Sequence, residues 1–181
     1  MRIISGDLKR RRLLVPPGRS VRPTSDKVKE ALFNILSDRI EGAAFLDLYA
    51  GAGSIGIEAI SRGAREVVFV EGDPKALHYL KKNLADLGIE GKARVVFKGV
   101  SDFLKKERGG PFDLIFLDPP YQSDEIEKTL PILAEGDMIT DKGIVIIEHF
   151  HKKQAPEKIG RLNLLRRCKY GETALSFYVK E

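Results

Sequence analysis

The stretch AAFLDLYAGAGSIG, residues 43–56, decides the fold of this chain, because an apolar run passes directly into a glycine-rich turn. The run AAFLDL predicts a strand that is buried on both faces of a sheet. Gly51, Gly53 and Gly56 then form the pattern G-x-G-x-x-G at the start of a helix, where glycines permit a tight turn and let a ligand approach the backbone. The helix start adds unpaired N–H groups and the positive end of a dipole. The stretch therefore predicts a ligand-binding loop at the end of a buried strand.

Further apolar runs follow this loop: VVFVE (67–71), RVVFK (94–98), LIFLD (114–118) and IVIIEH (144–149). They are short and rich in β-branched residues, which is typical of strands in a parallel sheet. Between the first two of these runs, Asp73 as a cap, Pro74 at the first position and Gly88 as a terminator predict a helix. Strands that alternate with helices predict an α/β fold with a mostly parallel, doubly wound sheet, whose ligands bind beyond the carboxyl ends of the strands.

Both ends of the chain depart from this alternation. At the C-terminal end, RLNLLRRCKYG (161–171) and ETALSFYVKE (172–181) predict an antiparallel hairpin with its turn around Tyr170 and Gly171. At the other end, the apolar spacing predicts a helix over residues 25–37.

The N-terminal segment is also strongly basic. Residues 1–30 carry nine lysines and arginines against three acids, a net charge of +6, whereas the rest of the chain sums to −1. A concentrated basic segment is typical of proteins that bind a phosphate backbone. Taken alone, the same charge is equally well explained as a solvated tail that keeps the protein in solution.

Length and composition exclude several classes of protein. The 181 residues suit a single domain, in which we expect residues 1–38 to form a basic arm plus helix and residues 43–181 to form the sheet core. The chain is 43% hydrophobic and 31% charged and has no apolar run of about 18 residues, which argues against a membrane protein. No export signal is visible, and a single cysteine, Cys168, excludes an internal disulfide, so we expect a cytoplasmic protein. The histidines form no cluster with ligand spacing, which predicts that no metal is required.

The glycine loop suits two cofactors. The second strand ends in Glu71, twenty residues after Gly51, where a carboxylate can accept hydrogen bonds from both hydroxyls of a ribose, as in NAD-binding proteins. However, the 125 residues after Gly56 leave little room for the second domain of a dehydrogenase. Asp47, four residues before the first glycine, would hold a cationic amino-acid group but repel a pyrophosphate. These observations favour S-adenosylmethionine, with nucleotide binding and a purely structural glycine turn as the alternatives.

The fourth strand ends in Asp118-Pro119-Pro120-Tyr121, which suits methyl transfer to an exocyclic amine of a nucleobase. The lone pair of such an amine is delocalised into the ring, and hydrogen bonds to the Asp118 carboxylate and the Pro119 carbonyl would aim it at the methyl group. The prolines stiffen the loop, and Tyr121 offers a face on which a flipped or unpaired base can stack. The alternative is a plain turn whose acid caps a helix. We consider it weaker because this loop and the glycine loop share one edge of the sheet.

With both loops in place, the chain resembles the bacterial 16S ribosomal RNA guanine-N2 methyltransferases that modify a guanine in the head of the small subunit. The resemblance spans almost the whole chain and is carried, besides the two loops, by Arg2-Ile3-Ile4-Ser5-Gly6 and by RPTSDKVKEALFN (22–34). It implies a Rossmann-like class I methyltransferase fold with a seven-stranded sheet, S-adenosylmethionine as cofactor and guanine N2 of 16S rRNA as acceptor. It also implies that the arm and its helix cover the cofactor and grip the RNA of an assembled or nearly assembled small subunit.

Three groups of site residues are expected. The catalytic group is Asp118, Pro119, Pro120 and Tyr121. The cofactor-binding group is Asp47, Tyr49, Gly51, Gly53, Gly56, Glu71, Gly99, Val100 and Asp118. The RNA-binding group is Arg10, Arg11, Arg12, Arg22, Thr24 and Lys27.

One position departs from the family pattern. Many members have Asp or Asn after the third strand to bind the adenine amino group, where this chain has Gly99. Either Asp102 substitutes for that residue, or the Val100 backbone and apolar neighbours hold the adenine. We expect the protein to act as a monomer. The alternatives left open are a DNA adenine-N6 or protein glutamine N-methyltransferase with the same acceptor loop, and an RNA-binding assembly factor without activity.

Overall fold

The computed structural model describes residues 1–17, 24–106, 109–120, 123–153 and 155–181. Helix α1 (Asp26–Leu36) is followed by a regular alternation of strands and helices: β1 (Ala44–Leu48), α2 (Ser54–Ser61), β2 (Glu66–Glu71), α3 (Pro74–Leu87), β3 (Ala93–Phe97), α4 (Val100–Lys106), β4 (Phe112–Leu117), α5 (Glu125–Glu135) and β5 (Ile139–Phe150). The chain ends in three consecutive strands: β6 (Lys158–Ile159), β7 (Leu162–Tyr170) and β8 (Thr173–Lys180). No helix within these ranges is both long and apolar enough to cross a bilayer.

The strands form one sheet in the order β3-β2-β1-β4-β5-β8-β7-β6. β3, β2, β1, β4 and β5 are parallel, whereas β8, β7 and β6 add antiparallel pairs. The predicted α/β fold with a mostly parallel sheet and a terminal hairpin is confirmed. The predicted number of seven strands is wrong, because the described residues form eight. The additional strand is β6, a two-residue edge strand that pairs with Leu162 and Asn163 and is too short to show a period-2 pattern.

The local signals for helices are also confirmed. The Ser25 hydroxyl accepts a hydrogen bond from the Val28 N–H and begins α1, one residue inside the predicted range. The Asp73 carboxylate caps α3 by accepting from the N–H of Lys75 and Ala76, and Gly88 ends this helix in the left-handed conformation. Short polar caps and a terminal glycine were therefore enough to place both helices to within about a residue.

The sheet separates two apolar cores, because successive side chains of a strand point to opposite faces. Phe45 of β1 packs in the core that contains Leu32 of α1, Ile57 of α2 and Leu80 of α3. The next residue, Leu46, packs in the core under α4 and α5. All five residues of β1 are buried, as expected for a strand covered on both faces.

Residues 1–13 fold back on themselves as an N-terminal hairpin, which lies against α2. Within the hairpin, Ile3 donates to the Arg11 carbonyl and Leu13 donates to the Met1 carbonyl. A Cβ atom at Gly6 would lie 1.8 Å from the Ser61 carbonyl oxygen, so only glycine permits this close approach of the hairpin to α2. The basic N-terminal segment is therefore built into the fold over these residues.

A buried ion pair joins the N-terminal hairpin, α1 and α2. Lys29 Nζ lies 3.5 Å from a Glu58 carboxylate oxygen, and both side chains are fully buried. Lys29 also donates to the Arg2 carbonyl at 2.7 Å, while Glu58 accepts from the N–H groups of Ile4 and Ser5 at 2.8 and 3.0 Å. Burial lowers the pKa of Lys29, although the Glu58 charge opposes that effect. Three segments thus meet at one pair of opposite charges.

The last strand, β8, runs back toward the amino ends of the parallel strands. β8 pairs antiparallel with β5, so that Thr173 lies opposite Phe150 and Val179 lies opposite Ile144. The Glu181 N–H then donates to the Arg161 carbonyl at 2.8 Å. Glu181 therefore lies at the edge formed by the amino ends of the parallel strands.

Candidate active site

Four acidic side chains lie in a row where parallel strands end. In strand order they are Glu71 of β2, Asp47 of β1, Asp118 directly after β4 and Glu148 of β5. By strand alternation they project from the face that α1, α2 and the N-terminal hairpin cover, the same face as Phe45 and Phe116. The two loops found in the sequence therefore meet at one edge, because β1 and β4 are neighbours in the sheet.

The glycines of the loop have different roles. A Cβ atom at Gly51, whose φ is +59°, would meet nothing within 4 Å, so Gly51 borders open space. At Gly53 it would lie 2.5 Å from a Leu80 methyl carbon, and at Gly56 it would lie 2.3 Å from the Phe69 ring. Gly53 and Gly56 thus let α2 pack closely against α3 and β2. Of the three, Gly51 is the one placed to meet a ligand.

Asp47 and Glu71 fix the backbone of this loop. Asp47 accepts from the Gly56 N–H at 2.9 Å, and burial raises its pKa to about 7, with the Gly56 bond opposing the rise and the Glu71 charge adding to it. Glu71 accepts from the N–H groups of Gly51 at 2.7 Å and Asp73 at 2.6 Å. A cationic group bound beside Asp47 would restore the ionised form of this carboxyl. The arrangement can therefore accept the amino group of an amino-acid ligand.

Tyr49 lies between the two loops. Its φ of +63° is a conformation that side-chain-bearing residues rarely adopt, and such backbone strain is concentrated at ligand sites. The Tyr49 hydroxyl donates to a Glu125 carboxylate oxygen at 2.8 Å. Glu125 begins α5, the helix that follows the reaction loop, Asp118-Pro119-Pro120-Tyr121. This bond therefore connects the glycine loop to that helix.

The predicted adenine position borders open space as well. A Cβ atom at Gly99 would meet nothing within 4 Å, and Val100 is buried at the start of α4. The backbone before Gly99 is fixed by the Lys98 N–H, which donates to the Glu71 carbonyl at 3.2 Å. This places Gly99 next to the carboxylate expected to bind the ribose.

The reaction loop is held from both sides. Asp118 is partly buried, Pro119 is buried and Pro120 is exposed, while Tyr121 lies outside the described residues. The Pro120 carbonyl accepts from the Ser123 N–H at 3.0 Å and from its hydroxyl at 2.7 Å. Lys153 Nζ donates to the Ser123 carbonyl at 2.7 Å. These bonds fix Pro120 and Ser123 relative to each other, which agrees with a preorganised acceptor.

Asp118 is electrostatically unusual. Burial raises its pKa well above the usual range, and the negative charges of Glu148 and Asp47 raise it further, whereas the neighbouring Thr24 hydroxyl opposes the rise. A carboxyl perturbed by burial and by specific charge partners is typical of functional sites. A positively charged group bound beside these acids would lower the pKa of Asp118.

The structure adds a residue that the sequence analysis missed. Glu148 is only 3% exposed and accepts from the Thr24 hydroxyl at 2.7 Å. Thr24, expected among the RNA-binding residues, is itself buried and lies at the base of this site. The signal for Glu148 was present in the run IVIIEH, where an acid ends a buried strand just as Asp118 does.

The remaining residues expected to bind RNA lie on the outside. Arg10, Arg11, Arg12 and Lys27 are exposed, and Arg22 lies outside the described residues. An ion pair of 3.0 Å between Arg2 and Asp26 further fixes the N-terminal hairpin to the start of α1. The described members of this group are therefore exposed to solvent in the N-terminal hairpin and at the start of α1.

Asn83 of α3 connects this basic segment to the glycine loop. Its amide oxygen accepts from the Leu14 N–H at 2.8 Å. Its amide nitrogen donates to the Leu14 and Ala52 carbonyls, both at 2.9 Å. One buried side chain therefore holds the segment after the N-terminal hairpin against the loop that contains Gly51.

Another depression lies at the opposite side of the sheet from the four acidic side chains. It has a volume of about 250 Å³, is lined in part by Arg39, Ala43 and Asp113, and lies at the amino ends of β1 and β4. Ligands of doubly wound sheets bind at the opposite edge. Among the described residues, no group of three or more histidine, cysteine or acidic side chains is arranged to hold a metal ion.

A protein-family profile described as "Conserved hypothetical protein 95" matches residues 1–179. The chain belongs to this family. Among its relatives, Ribosomal RNA small subunit methyltransferase D of Escherichia coli (strain K12) is 35% identical over 181 residues, which cover 100% of this chain and 90% of the relative. The resemblance stated from the sequence is thus confirmed.

Solved structures confirm the fold. A hypothetical protein from Thermus thermophilus is 34% identical, with a TM-score of 0.85 over 100% of this chain and 99% of that chain. An RNA methyltransferase from Salinibacter ruber, solved in complex with S-adenosyl-L-homocysteine, is 18% identical, with a TM-score of 0.68 over 88% of this chain and 95% of that chain. The predicted Rossmann-like class I methyltransferase fold is therefore correct.

Proposed function

We propose that this protein transfers a methyl group from S-adenosylmethionine to N2 of a guanine in the 16S rRNA of the small ribosomal subunit. The observation that carries the proposal is the meeting of Asp118 with the glycine loop at one sheet edge, on the adjacent strands β4 and β1. The similarity to the Escherichia coli relative, whose name states small-subunit rRNA methylation, supports the substrate. The Arg-Pro-Thr segment, whose Thr24 reaches this edge, supports an RNA rather than a DNA substrate.

The residues on the glycine-loop side fit the cofactor. Asp47, with its raised pKa, would hold the amino group, Gly51 would let the cofactor approach the backbone, and Glu71 would accept from the ribose hydroxyls. The open side of Gly99 leaves room for the adenine ring. When bound, S-adenosylmethionine supplies an electrophilic methyl group on a positively charged sulfur.

The reaction loop would hold the acceptor. The Asp118 carboxylate and the Pro119 carbonyl accept hydrogen bonds from the guanine amine and direct its lone pair toward the methyl group. Tyr121 stacks on the base, which must leave its helix or be unpaired beforehand. The amine proton leaves to Asp118 or to water after attack, and no metal takes part in this scheme.

The rest of the chain would serve the same reaction. The exposed arginines of the N-terminal hairpin bind phosphates of the subunit, which fixes the register of the RNA without reading its sequence. We propose that residues 1–38 and 43–181 act as one domain, that the protein works as a monomer, and that it meets its ribosomal substrate in the cytoplasm.

Methyl transfer from tritiated S-adenosylmethionine to separated small subunits, free 16S rRNA and DNA tests this proposal. We expect label in small subunits, recovered as N2-methylguanine after digestion. Asp118→Ala should lower the rate by about 10- to 150-fold, since a charge-assisted hydrogen bond contributes about 1.5–3 kcal/mol. Asp141→Ala, at a side chain that is 97% exposed, is the matched control and should leave the rate unchanged. Label in N6-methyladenine, or an undiminished Asp118→Ala rate, would contradict the proposal.

A further inference from the structure

Glu148 lies beside Asp118 at the end of the row of acids. The register of β4 and β5 pairs Leu117 with Ile147, so the next residues along the two parallel strands are Asp118 and Glu148. Neighbouring strands are about 4.8 Å apart, so the two carboxyl groups lie side by side on the same face. In the strand order, Asp118 and Glu148 lie on one side of Asp47 and Glu71 lies on the other. The acceptor base is expected on the side of Asp118 and Glu148, and the cofactor ribose on the side of Glu71.

The orientation of Glu148 is fixed by its surroundings. Its carboxylate accepts from the Thr24 hydroxyl at 2.7 Å, and Thr24 directly precedes the capping residue of α1. Both residues are buried. The hydrogen bond therefore holds Thr24 and the Glu148 carboxylate at one defined place beside the reaction loop.

Two adjacent acceptors distinguish between the bases that carry an exocyclic amine. Guanine presents the N2 amine next to N1–H, which gives two neighbouring donors. Adenine presents the N6 amine next to the N1 lone pair, and cytosine presents the N4 amine next to the N3 lone pair. A carboxylate beside the amine-binding acceptor is therefore complementary to guanine and repels the other two bases.

We infer that Glu148 is the specificity-determining residue of this site and selects guanine by accepting a hydrogen bond from its N1–H while Asp118 and Pro119 hold the N2 amine. This inference rests on the proposed function and adds to it the group that reads the base. Thr24 acts through Glu148 as a positioning residue. The negative charge of Glu148 also raises the pKa of Asp118. This effect agrees with two neighbouring carboxyl groups that bind the same edge of one base.

2-Aminopurine tests the inference because it keeps the N2 amine but carries a lone pair at N1. The methylated guanine is first mapped, and small subunits are then reconstituted with guanine or 2-aminopurine at that position. The wild-type protein should methylate guanine at least about tenfold faster than 2-aminopurine. In Glu148→Gln the amide can donate to N1, so we expect the ratio of the guanine rate to the 2-aminopurine rate to fall by at least about tenfold.

Matched controls separate recognition from structure. Glu172→Gln changes an exposed acid in the turn between β7 and β8 and should leave the ratio as in the wild type. Calorimetric binding of S-adenosyl-L-homocysteine to each variant shows that the fold and the cofactor side are intact. Equal losses on both substrates in Glu148→Gln, with an unchanged ratio, would overturn the assignment of Glu148 alone. Absence of N2-methylguanine from the wild-type reaction would overturn the proposed function together with this assignment.

Discussion

At the residue scale, the site is defined by four acidic side chains that lie close together. Asp47 and Glu148 both raise the pKa of Asp118, and Glu71 raises that of Asp47. Buried like charges are unfavourable unless a ligand or a hydrogen bond compensates for them. Groups inside the protein that compensate include the N–H groups of Gly51, Gly56 and Asp73 and the Thr24 hydroxyl. The proposed ligands add a sulfonium and base N–H donors.

The raised pKa of Asp118 predicts how the rate depends on pH. The amine needs an ionised acceptor, and a raised pKa keeps Asp118 protonated to higher pH than an ordinary carboxyl. We therefore expect kcat/KM for small subunits to increase as pH rises through the pKa of Asp118 and then to level off. Asp118→Asn cannot ionise and should lose this increase while keeping a reduced rate. An identical pH profile for the two proteins would show that another group controls the reaction.

The glycines predict two separable defects. Gly56→Ala forces a methyl group into the Phe69 ring and should lower the free energy of unfolding by about 1–3 kcal/mol, measured by urea denaturation. Gly51→Ala strains a backbone with a φ of +59°, but it points its methyl group into open space and should in addition weaken binding of S-adenosyl-L-homocysteine, measured by calorimetry. Undiminished cofactor affinity in Gly51→Ala would remove Gly51 from the cofactor site.

At the element scale, the N-terminal hairpin is held by α2 as well as by its own hydrogen bonds. Glu58 alone accepts from two hairpin N–H groups, lies beside Lys29 and accepts from Arg62 at 2.9 Å. Glu58, one turn along the helix that the glycine loop begins, is thus a central contact between α1, the N-terminal hairpin and α2.

These contacts predict a large loss of stability in Glu58→Ala. The change leaves the buried Lys29 without its partner and two backbone N–H groups without their acceptor, which should lower the free energy of unfolding by about 3–5 kcal/mol. Glu66→Ala is the control, because its ion pair with Arg65 is exposed and worth at most about 1 kcal/mol. Urea denaturation of both variants measures the difference. Similar values for the two would mean that the buried pair does not hold the hairpin.

Sequence patterns predicted the helices and strands whose positions depend on neighbouring residues in the chain. Caps, terminal glycines and β-branched runs placed α1, α3 and the parallel strands, and the strand-end rule brought Asp47 and Asp118 to one edge. β6 was missed because two residues carry no periodicity. Glu148 was missed although the run IVIIEH carries an acid after an apolar stretch, and the burial of Thr24 was missed because its contact with Glu148 joins residues 124 positions apart, which no local pattern reports.

At the scale of the whole molecule, the N-terminal hairpin and the sheet share one core. Ile3 and Leu13 of the hairpin and Leu32 of α1 pack in the same cluster as Phe45 and Phe116 of the sheet. Residues that share a core contribute jointly to cooperativity. We therefore expect a single urea transition when unfolding is followed by far-ultraviolet circular dichroism and by tyrosine fluorescence. Two separated transitions would contradict the single domain over residues 1–181.

The exposed arginines predict how subunit binding depends on salt. Each phosphate contact contributes about 0.7–0.9 to the slope of log affinity against log salt concentration. The double variant Arg10→Ala and Arg12→Ala should therefore bind small subunits more weakly and with a slope smaller by about 1.4–1.8. Lys142→Ala, at an exposed residue near the amino end of β5, is the control. A slope unchanged by the double variant would mean that these arginines contact no phosphate.

The antiparallel return of β8 has a practical consequence for such measurements. Because Glu181 lies against Arg161, at the edge of the sheet opposite to the acids, a fluorescent dye or a surface tether attached there would stand clear of incoming subunits. A label on Met1 would instead lie beside Leu13, within the basic hairpin itself. Immobilisation through Glu181 therefore leaves the basic hairpin unmodified, so that the measured binding rates are those of the native surface.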